Sequence, residues 1–276
     1  MKTGRVDLKT GRKGKASPDL PVITLLTDFG TADYFVGAVK GAILSVNANA
    51  VIVDVTHDIA PQDIEAAAFT LLAYYKTFPA GTIHVAVVDP GVGSTRRPII
   101  VEAGEQFFVG PDNGIFSYVY DREVSHRTFH ITAQKYFRHP VSSTFHGRDV
   151  FAPVAAALST GVQAEAFGPV LENEVRLEDL LATERIIHVD RFGNCVTNIT
   201  RDVFNGMLVV EGKEIREIRE FYGAGGQDEI FGIWGSAGFL EISVNGGSAA
   251  EKLRVKRGDE VVSSQRRKGA KKGRKC

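Results

Sequence analysis

The sequence predicts an α/β protein, with an N-terminal α/β/α layered domain around a mostly parallel sheet and a smaller C-terminal all-β barrel domain. Three observations predict it. From Pro21 to about Gly161, short β-branched runs alternate with amphipathic stretches, the β-α-β-α-β order that gives a parallel sheet with helices packed on it. After Gly161 the texture changes to short strand-like runs separated by turn residues, which suits a small barrel or sandwich. The length of 276 residues fits about two domains at ~150 residues each.

The first strand is the buried run Val22-Ile23-Thr24-Leu25-Leu26, which stops at Thr27-Asp28-Phe29-Gly30. Phe35, Val39, Ala42, Ile43 and Val46 then share one helical face, with Asp33 placed to cap that helix. A second strand, Val51 to Val55, ends at Thr56-His57-Asp58, and a helix from Asp63 to Lys76 follows with Asp63 as its N-cap. The third strand, Thr82 to Val88, ends at Asp89-Pro90-Gly91. Asp28, Asp58 and Asp89 thus stand just beyond strand C-termini, the edge where open α/β sheets bind ligands. Thr144 to Asp149 opens an apolar helix through Phe151, Val154, Ala155 and Leu158. Past an acid-rich connection from Glu172 to Glu184, strands are expected at 185–190, 195–200, 207–210, 229–234, 239–244 and 260–262. The expected organisation is therefore 21–175 for the α/β domain and 176–262 for the barrel, between basic, disordered tails at 1–20 and 263–276.

Composition narrows the function classes. Hydrophobic residues at 43% and charged residues at 24% are the proportions of an ordinary soluble globular protein. Cys195 and Cys276 are too few for a disulfide framework or a cysteine-built zinc site, and Cys195 falls in a strand-like run as a core residue. No apolar run approaches the ~18–20 residues that span a bilayer, and no apolar leader opens the chain, so a cytoplasmic protein without a membrane partner is expected. The formal charge of zero hides an uneven distribution. The tails carry 13 basic side chains and leave 20 basic against 31 acidic between 21 and 262, a net −11. Weak phosphate or nucleic-acid contact is one role for such tails, and plain solubilisation is the other.

The densest polar constellation is Asp89-Pro90-Gly91-Val92-Gly93-Ser94-Thr95-Arg96-Arg97. Its glycines can turn backbone N–H groups inward while Ser94 and the arginines add donors, making an anion or water pocket with a carboxylate at its entrance. The same residues also read as a plain turn. His146 in Thr144-Phe145-His146-Gly147-Arg148-Asp149 can titrate near neutrality, or can merely meet water while Asp149 caps the helix. Asp28 is placed to accept both hydroxyls of a ribose, and Asp33 to hold a cation or an ammonium. Asp190-Arg191-Phe192-Gly193-Asn194 sets polar amides beside an aromatic, as a purine pocket does, although it is equally good hairpin chemistry.

Together these segments resemble one family, the S-adenosyl-L-methionine hydroxide adenosyltransferases or SAM hydrolases, relatives of fluorinase and chlorinase. The matching pieces are Leu26-Thr27-Asp28-Phe29-Gly30 with Asp33, Asp54 to Ile59, Val88 to Ser94 with Arg96, and Gly110-Pro111-Asp112-Asn113-Gly114. They continue with Thr144 to Asp149, Asp190 to Asn194, Gly235-Ser236-Ala237-Gly238, and Leu240-Glu241-Ile242 with Asn245, in order over about 21 to 262. The resemblance implies cleavage of S-adenosylmethionine by water to adenosine and methionine, without metal or cofactor. It implies a homotrimer whose active site lies between neighbouring subunits. It places the catalytic set on Asp89, Arg96 and His146, the ribose on Asp28, and the methionine end on Asp33, Asp190 and Ser236. Asn194 and the backbone around Val244 and Gly246 fall to the adenine, with Phe221 or Tyr222 as the flanking aromatic.

That chemistry suits these residue types. A sulfonium is already a good leaving group, so the task left is to position a water in line with the departing sulfur and to take its proton. Arg96 is expected to stabilise hydroxide character while Asp89 and His146 orient the water, and the acidic body favours a cationic substrate. His146-Gly147 stands where the fluorinase pattern has a tyrosine and a serine, and 59–83 leaves no room for the long loop of the halogenases, so water is favoured over halide. Three alternatives stand beside this reading. They are a chlorinase-like enzyme, a magnesium-dependent nucleotide hydrolase built on Asp28, Asp58 and Asp89, and a non-catalytic adenosine or S-adenosylmethionine binder.

Overall fold

The computed structural model describes residues 21–178 and 183–265. The tail expectations for 1–20 and 266–276, and part of the Glu172–Glu184 connection, lie outside the described residues. The N-terminal part opens as expected, with β1 Val22–Thr27, α1 Phe35–Val46, β2 Val51–Thr56, α2 Ile64–Tyr74 and β3 Ile83–Val87. It continues with β4 Pro98–Ala103, β5 Gln106–Pro111, α3 Ser117–Arg122, β6 His126–His130, α4 Ala152–Ser159 and β7 Val170–Leu171. Seven strands form one sheet in the order β2-β1-β3-β5-β4-β6-β7.

Strand periodicity builds the layers. Ile23 and Leu25 of β1, with Val85 and Val87 of β3, pack on one face against Val39 and Ile43 of α1 and Val154 and Ala155 of α4. Leu26 and Ala86 point the other way, into a second core with α2 and α3. The sheet is therefore sandwiched between helices on both faces. It is less parallel than the sequence suggests: β2-β1, β1-β3 and β3-β5 pair in parallel, whereas β5-β4, β4-β6 and β6-β7 are antiparallel. The reason is local. Gly104 (φ +57°) and Glu105 (φ +62°) form a two-residue turn with both centres left-handed, which returns β4 directly alongside β5 as a hairpin.

The helix caps divide. Asp63 caps α2, its Oδ1 accepting the Ala66 amide at 3.0 Å. Asp33 does not cap α1: Tyr34 occupies that position and makes no side-chain cap bond. Nor does Asp149 cap the apolar helix, because it lies inside a π-helical turn, Gly147–Phe151, that leads into α4.

The C-terminal part contains β8 Ile186–Val189, β9 Cys195–Thr197, β10 Gly206–Val210, β11 Lys213–Ile215 and β12 Ile218–Arg219. β13 Ile230–Trp234, β14 Leu240–Val244, α5 Ala249–Leu253 and β15 Val262–Gln265 complete it. No closed sheet, and so no barrel, is found among the described residues. The strands form an open five-stranded sheet, β12-β13-β14-β9-β8, and a separate three-stranded sheet, β11-β10-β15. β11 and β12 are only three and two residues long and join different sheets, so the hydrogen-bonded ladder that closure requires is interrupted there. β15 also runs through Gln265, into residues expected to belong to the tail. Cys195 is buried in this core, and burial pushes its thiol up to about 12.

The two parts share a packed boundary. Ile187, Val196 and Phe239 join the second core beside α2, and Phe69 stacks on His188 at 5.0 Å. Arg257 pairs with Asp63 at 2.5 Å, so the carboxylate that starts α2 also anchors the C-terminal part.

Candidate functional site

A cavity of about 410 Å³ opens beyond the C-terminal ends of β1 and β3. It is lined by Asp28, Phe29, Phe35, Gln62, Val87, Asp89, Pro90, Val92, Thr144, Phe145, His146 and Gly147. Asp28 and Asp89 reach it because they stand one and two residues beyond the ends of β1 and β3, in the parallel half of the sheet, at the ligand edge of this architecture. His146 comes from 57 residues further along the chain than Asp89, and the approach of the two loops depends on Gly93. That residue has φ +77°, and a Cβ there would stand 2.1 Å from the carbonyl oxygen of Ser143. Only glycine lets the Asp89–Arg97 loop sit directly on the segment that carries His146.

The loop brings three expected residues into contact. Arg96 Nε donates to Asp89 Oδ1 at 3.0 Å, and Arg96 Nη2 donates to Asp89 Oδ2. The same Nη2 lies 3.2 Å from His146 Nδ1. A guanidinium nitrogen only donates, so Nδ1 must accept and the neutral ring carries its proton on Nε2. Burial, then the neighbouring Arg96 charge, holds the His146 imidazole below its ordinary value, which keeps it neutral. The side chains of Arg96 and Asp89 are 8% and 6% exposed, and Phe151 lies under the guanidinium at 5.3 Å. Arg96 Nη1 is buried and makes no hydrogen bond to protein. Arg96 is not itself part of the cavity wall. It stands behind Asp89 and His146, which are.

The other expected residues divide. Asp28 is on the wall, its Oδ2 accepting the Gln62 amide at 2.9 Å. Asp33 is exposed and lines neither cavity. Asp190, Asn194, Tyr222, Val244 and Gly246 meet at a second cavity of about 570 Å³, with Phe192 and Gly247. There Asp190 Oδ1 accepts the amides of Phe192 and Asn194, both at 2.8 Å, and its Oδ2 accepts Asn194 Nδ2 at 2.8 Å. Asp190 thus shapes the turn that presents Asn194. Tyr222 O–H donates to Glu241 Oε2 at 2.9 Å, and burial together with Glu241 raises the phenol to about 12. Phe221 and Ser236 are exposed and do not line this cavity.

Sequence reasoning did not select several wall residues: Gln62, Phe29, Phe35 and Thr144 in the first cavity, Phe192 and Gly247 in the second. Phe192 had a signal, an aromatic inside the turn already singled out. Gln62 had none, since its part is played by a backbone amide. Asp28, Asp58 and Asp89 do not all line one cavity. Asp58 lines a different cavity, both oxygens of Asp89 are engaged by Arg96, and no cluster of three potential metal-ligating side chains is present among the described residues.

Comparison with known proteins finds relatives over most of the chain. The SAM hydroxide adenosyltransferase N-terminal domain matches residues 23–168, and the C-terminal domain of the same family matches 184–262. An (R)-S-adenosyl-L-methionine hydrolase of Methanocaldococcus jannaschii is 36% identical over 262 residues, covering 88% of this chain and 95% of its own. A fluorinase of Nocardia brasiliensis is more distant, 24% identical with 87% and 96% covered. The crystal structure of an uncharacterized conserved protein from Thermotoga maritima superposes with a TM-score of 0.80 at 35% identity, covering 87% of this chain and 98% of that one.

Proposed function

Because this chain belongs to the SAM hydroxide adenosyltransferase family, we propose that it hydrolyses S-adenosyl-L-methionine to adenosine and L-methionine, using Asp89, Arg96 and His146. The observation that carries the catalytic assignment is the guanidinium of Arg96 holding both Asp89 oxygens and fixing His146 Nδ1 as an acceptor. With Nδ1 occupied, the ring offers Nε2–H to the nucleophile and does not take its proton. Asp89 then receives it. A carboxylate suffices, because the water proton becomes strongly acidic as the C5′–O bond forms while the C5′–S bond breaks and its electron pair leaves with methionine. Arg96 holds Asp89 and His146 in place for that transfer.

Asp28 takes the ribose hydroxyls, and Asn194, with the backbone of Val244 and Gly246, takes the adenine. Tyr222 and Phe192 flank the base. Asp190 acts by holding Asn194, and Ser236 and Asp33 serve the methionine end from the surface. The relatives' names specify the (R)-sulfonium, and we carry that preference to this chain: a rigid grip on both ends of the substrate distinguishes the two pyramidal sulfur configurations.

The two cavities share no lining residue, which supports a site completed by a neighbouring subunit in a homotrimer. Water as nucleophile is supported by the short span after β2, where α2 and its flanking turns account for the chain up to β3.

The test is incubation with S-adenosylmethionine and chromatography of the products, with and without chloride. Adenosine and methionine are expected, with no 5′-chloro-5′-deoxyadenosine. Mixing inactive Arg96→Lys and Asn194→Ala proteins and reassembling them tests the shared site. Activity is expected to return, because some interfaces then combine two intact halves.

A further inference from the structure

Asp28 is framed by groups that the proposed reaction does not use. β1 and β2 are parallel neighbours, and each ends in a turn at the same edge. His57, 5% exposed, lies between those turns. Its Nδ1 is 2.8 Å from Thr27 Oγ1, and its Nε2 is 3.1 Å from Asp54 Oδ1. Thr27 Oγ1 accepts the amide of Phe29 at 3.2 Å, and the Gly30 amide donates to the His57 carbonyl at 2.8 Å. Asp54 is itself paired with Lys40 at 2.5 Å. The turn of His57 also supplies the Gln62 amide to Asp28, and Gln62 has φ +66°, a strained conformation for a residue other than glycine.

We propose that His57 is a positioning residue for substrate binding, holding the Thr27–Gly30 turn so that Asp28 presents its carboxylate to the ribose. The proton directions are consistent along the chain. The Asp54 carboxylate stands 3.1 Å from Nε2 without hydrogen-bond alignment, and its negative charge favours the ring proton there, which leaves Nδ1 to accept Thr27 O–H. The threonine oxygen is then free to accept the Phe29 amide. Thr27 and Phe29 bracket Asp28, so the bonds on either side of it fix the direction of its side chain. Loss of the ring leaves the buried Thr27 hydroxyl without this partner and lets the turn move. The Arg96 fork follows β3 and has no part in these bonds, so the effect belongs to binding of the sugar.

The proposal rests on Asp28 as the ribose group, and the experiment separates the two. Inhibition by adenosine and by 2′,3′-dideoxyadenosine is measured for the wild type, Asp28→Asn, His57→Phe, His57→Asn and the near-isosteric Thr27→Val, together with KM and kcat. Asp28→Asn is expected to abolish the preference for adenosine. His57→Phe and Thr27→Val are each expected to reduce it about tenfold, as suits one buried hydrogen bond, with the loss falling on KM more than on kcat. Their combination is expected to cost no more than either alone. His57→Asn, which returns an acceptor oxygen near the place of Nδ1, is expected to restore most of the preference. A full wild-type preference in His57→Phe and Thr27→Val, with Asp28→Asn deficient, overturns the role of His57 alone. A full preference in Asp28→Asn overturns the ribose assignment, and the proposal falls with it.

Discussion

Replacing Arg96 by lysine keeps the positive charge and removes the fork. In the native site Nε and Nη2 grip the two oxygens of Asp89, and Nη2 also meets His146 Nδ1 at 3.2 Å. An ammonium is a single point, and it cannot hold both carboxylate oxygens and the imidazole in one plane. At least one charge-assisted bond is lost, about 1.5–3 kcal/mol of ground-state order. The larger effect is on the transition state. Arg96 acts through Asp89 and His146, and a misplacement of such groups by ~1 Å costs about 10²-fold or more in kcat. Arg96→Lys is therefore expected to lower kcat by about 10²-fold or more with little change in KM, measured as adenosine release at saturating S-adenosylmethionine. Because Asp89 keeps a cationic neighbour, the folded state should lose far less than the ~3–5 kcal/mol expected when a buried partner is removed outright. A melting curve beside the rate separates the two effects. A lysine variant within about threefold of wild-type kcat would refute the reasoning, because the fork geometry then makes no difference to the reaction.

Four further outcomes follow from the same geometry. His146 is held below its ordinary value and must be neutral to accept from Arg96, so kcat/KM should fall with decreasing pH only below about 6.5, and His146→Asn should show a low rate without that acid limb. His84 is fully buried between Thr24, Gln106 and Phe108, and burial pushes it down to about 4. Since its folded value lies below the unfolded one, its contribution is complete above pH 6.5 and is lost as pH falls towards 4, about 3 kcal/mol in all; urea titrations of wild type and His84→Gln across that window should diverge accordingly. Gly93→Ala puts a Cβ 2.1 Å from the Ser143 carbonyl and should cost about 1–3 kcal/mol in denaturant melts, with activity down at least about tenfold as the Arg96 and His146 segments part. Separated sulfonium epimers should be turned over unequally, the (R) form faster, as followed by chiral chromatography of the residual substrate.

Much of the fold was legible because it is local. The short buried runs Val22–Leu26 and Thr82–Val88, the helical spacing from Phe35 to Val46 and the capping position of Asp63 each depend on neighbours a few residues away, and the structure keeps them. The strand-end aspartates were legible for the same reason. Glu105 misled because its left-handed turn makes a hairpin that no alternation pattern announces, and the sheet became half antiparallel. Closure was not legible, because short strands look alike whether or not the last pair completes a ring, and no closed sheet is found among the described residues.

The sequence by itself determined the family, through the ordered motifs that include Asp28, Asp89, Arg96 and His146. Tertiary structure alone decided who meets whom. It put Arg96 behind the wall and Asp89 on it, left Asp33, Ser236 and Phe221 outside both cavities, and brought a Gln62 amide to Asp28. The physical reason is range. Periodicity and turn preference act over a few residues, whereas the contact between Arg96 and His146 spans 50 positions and exists only because sheet register and one glycine bring two loops together.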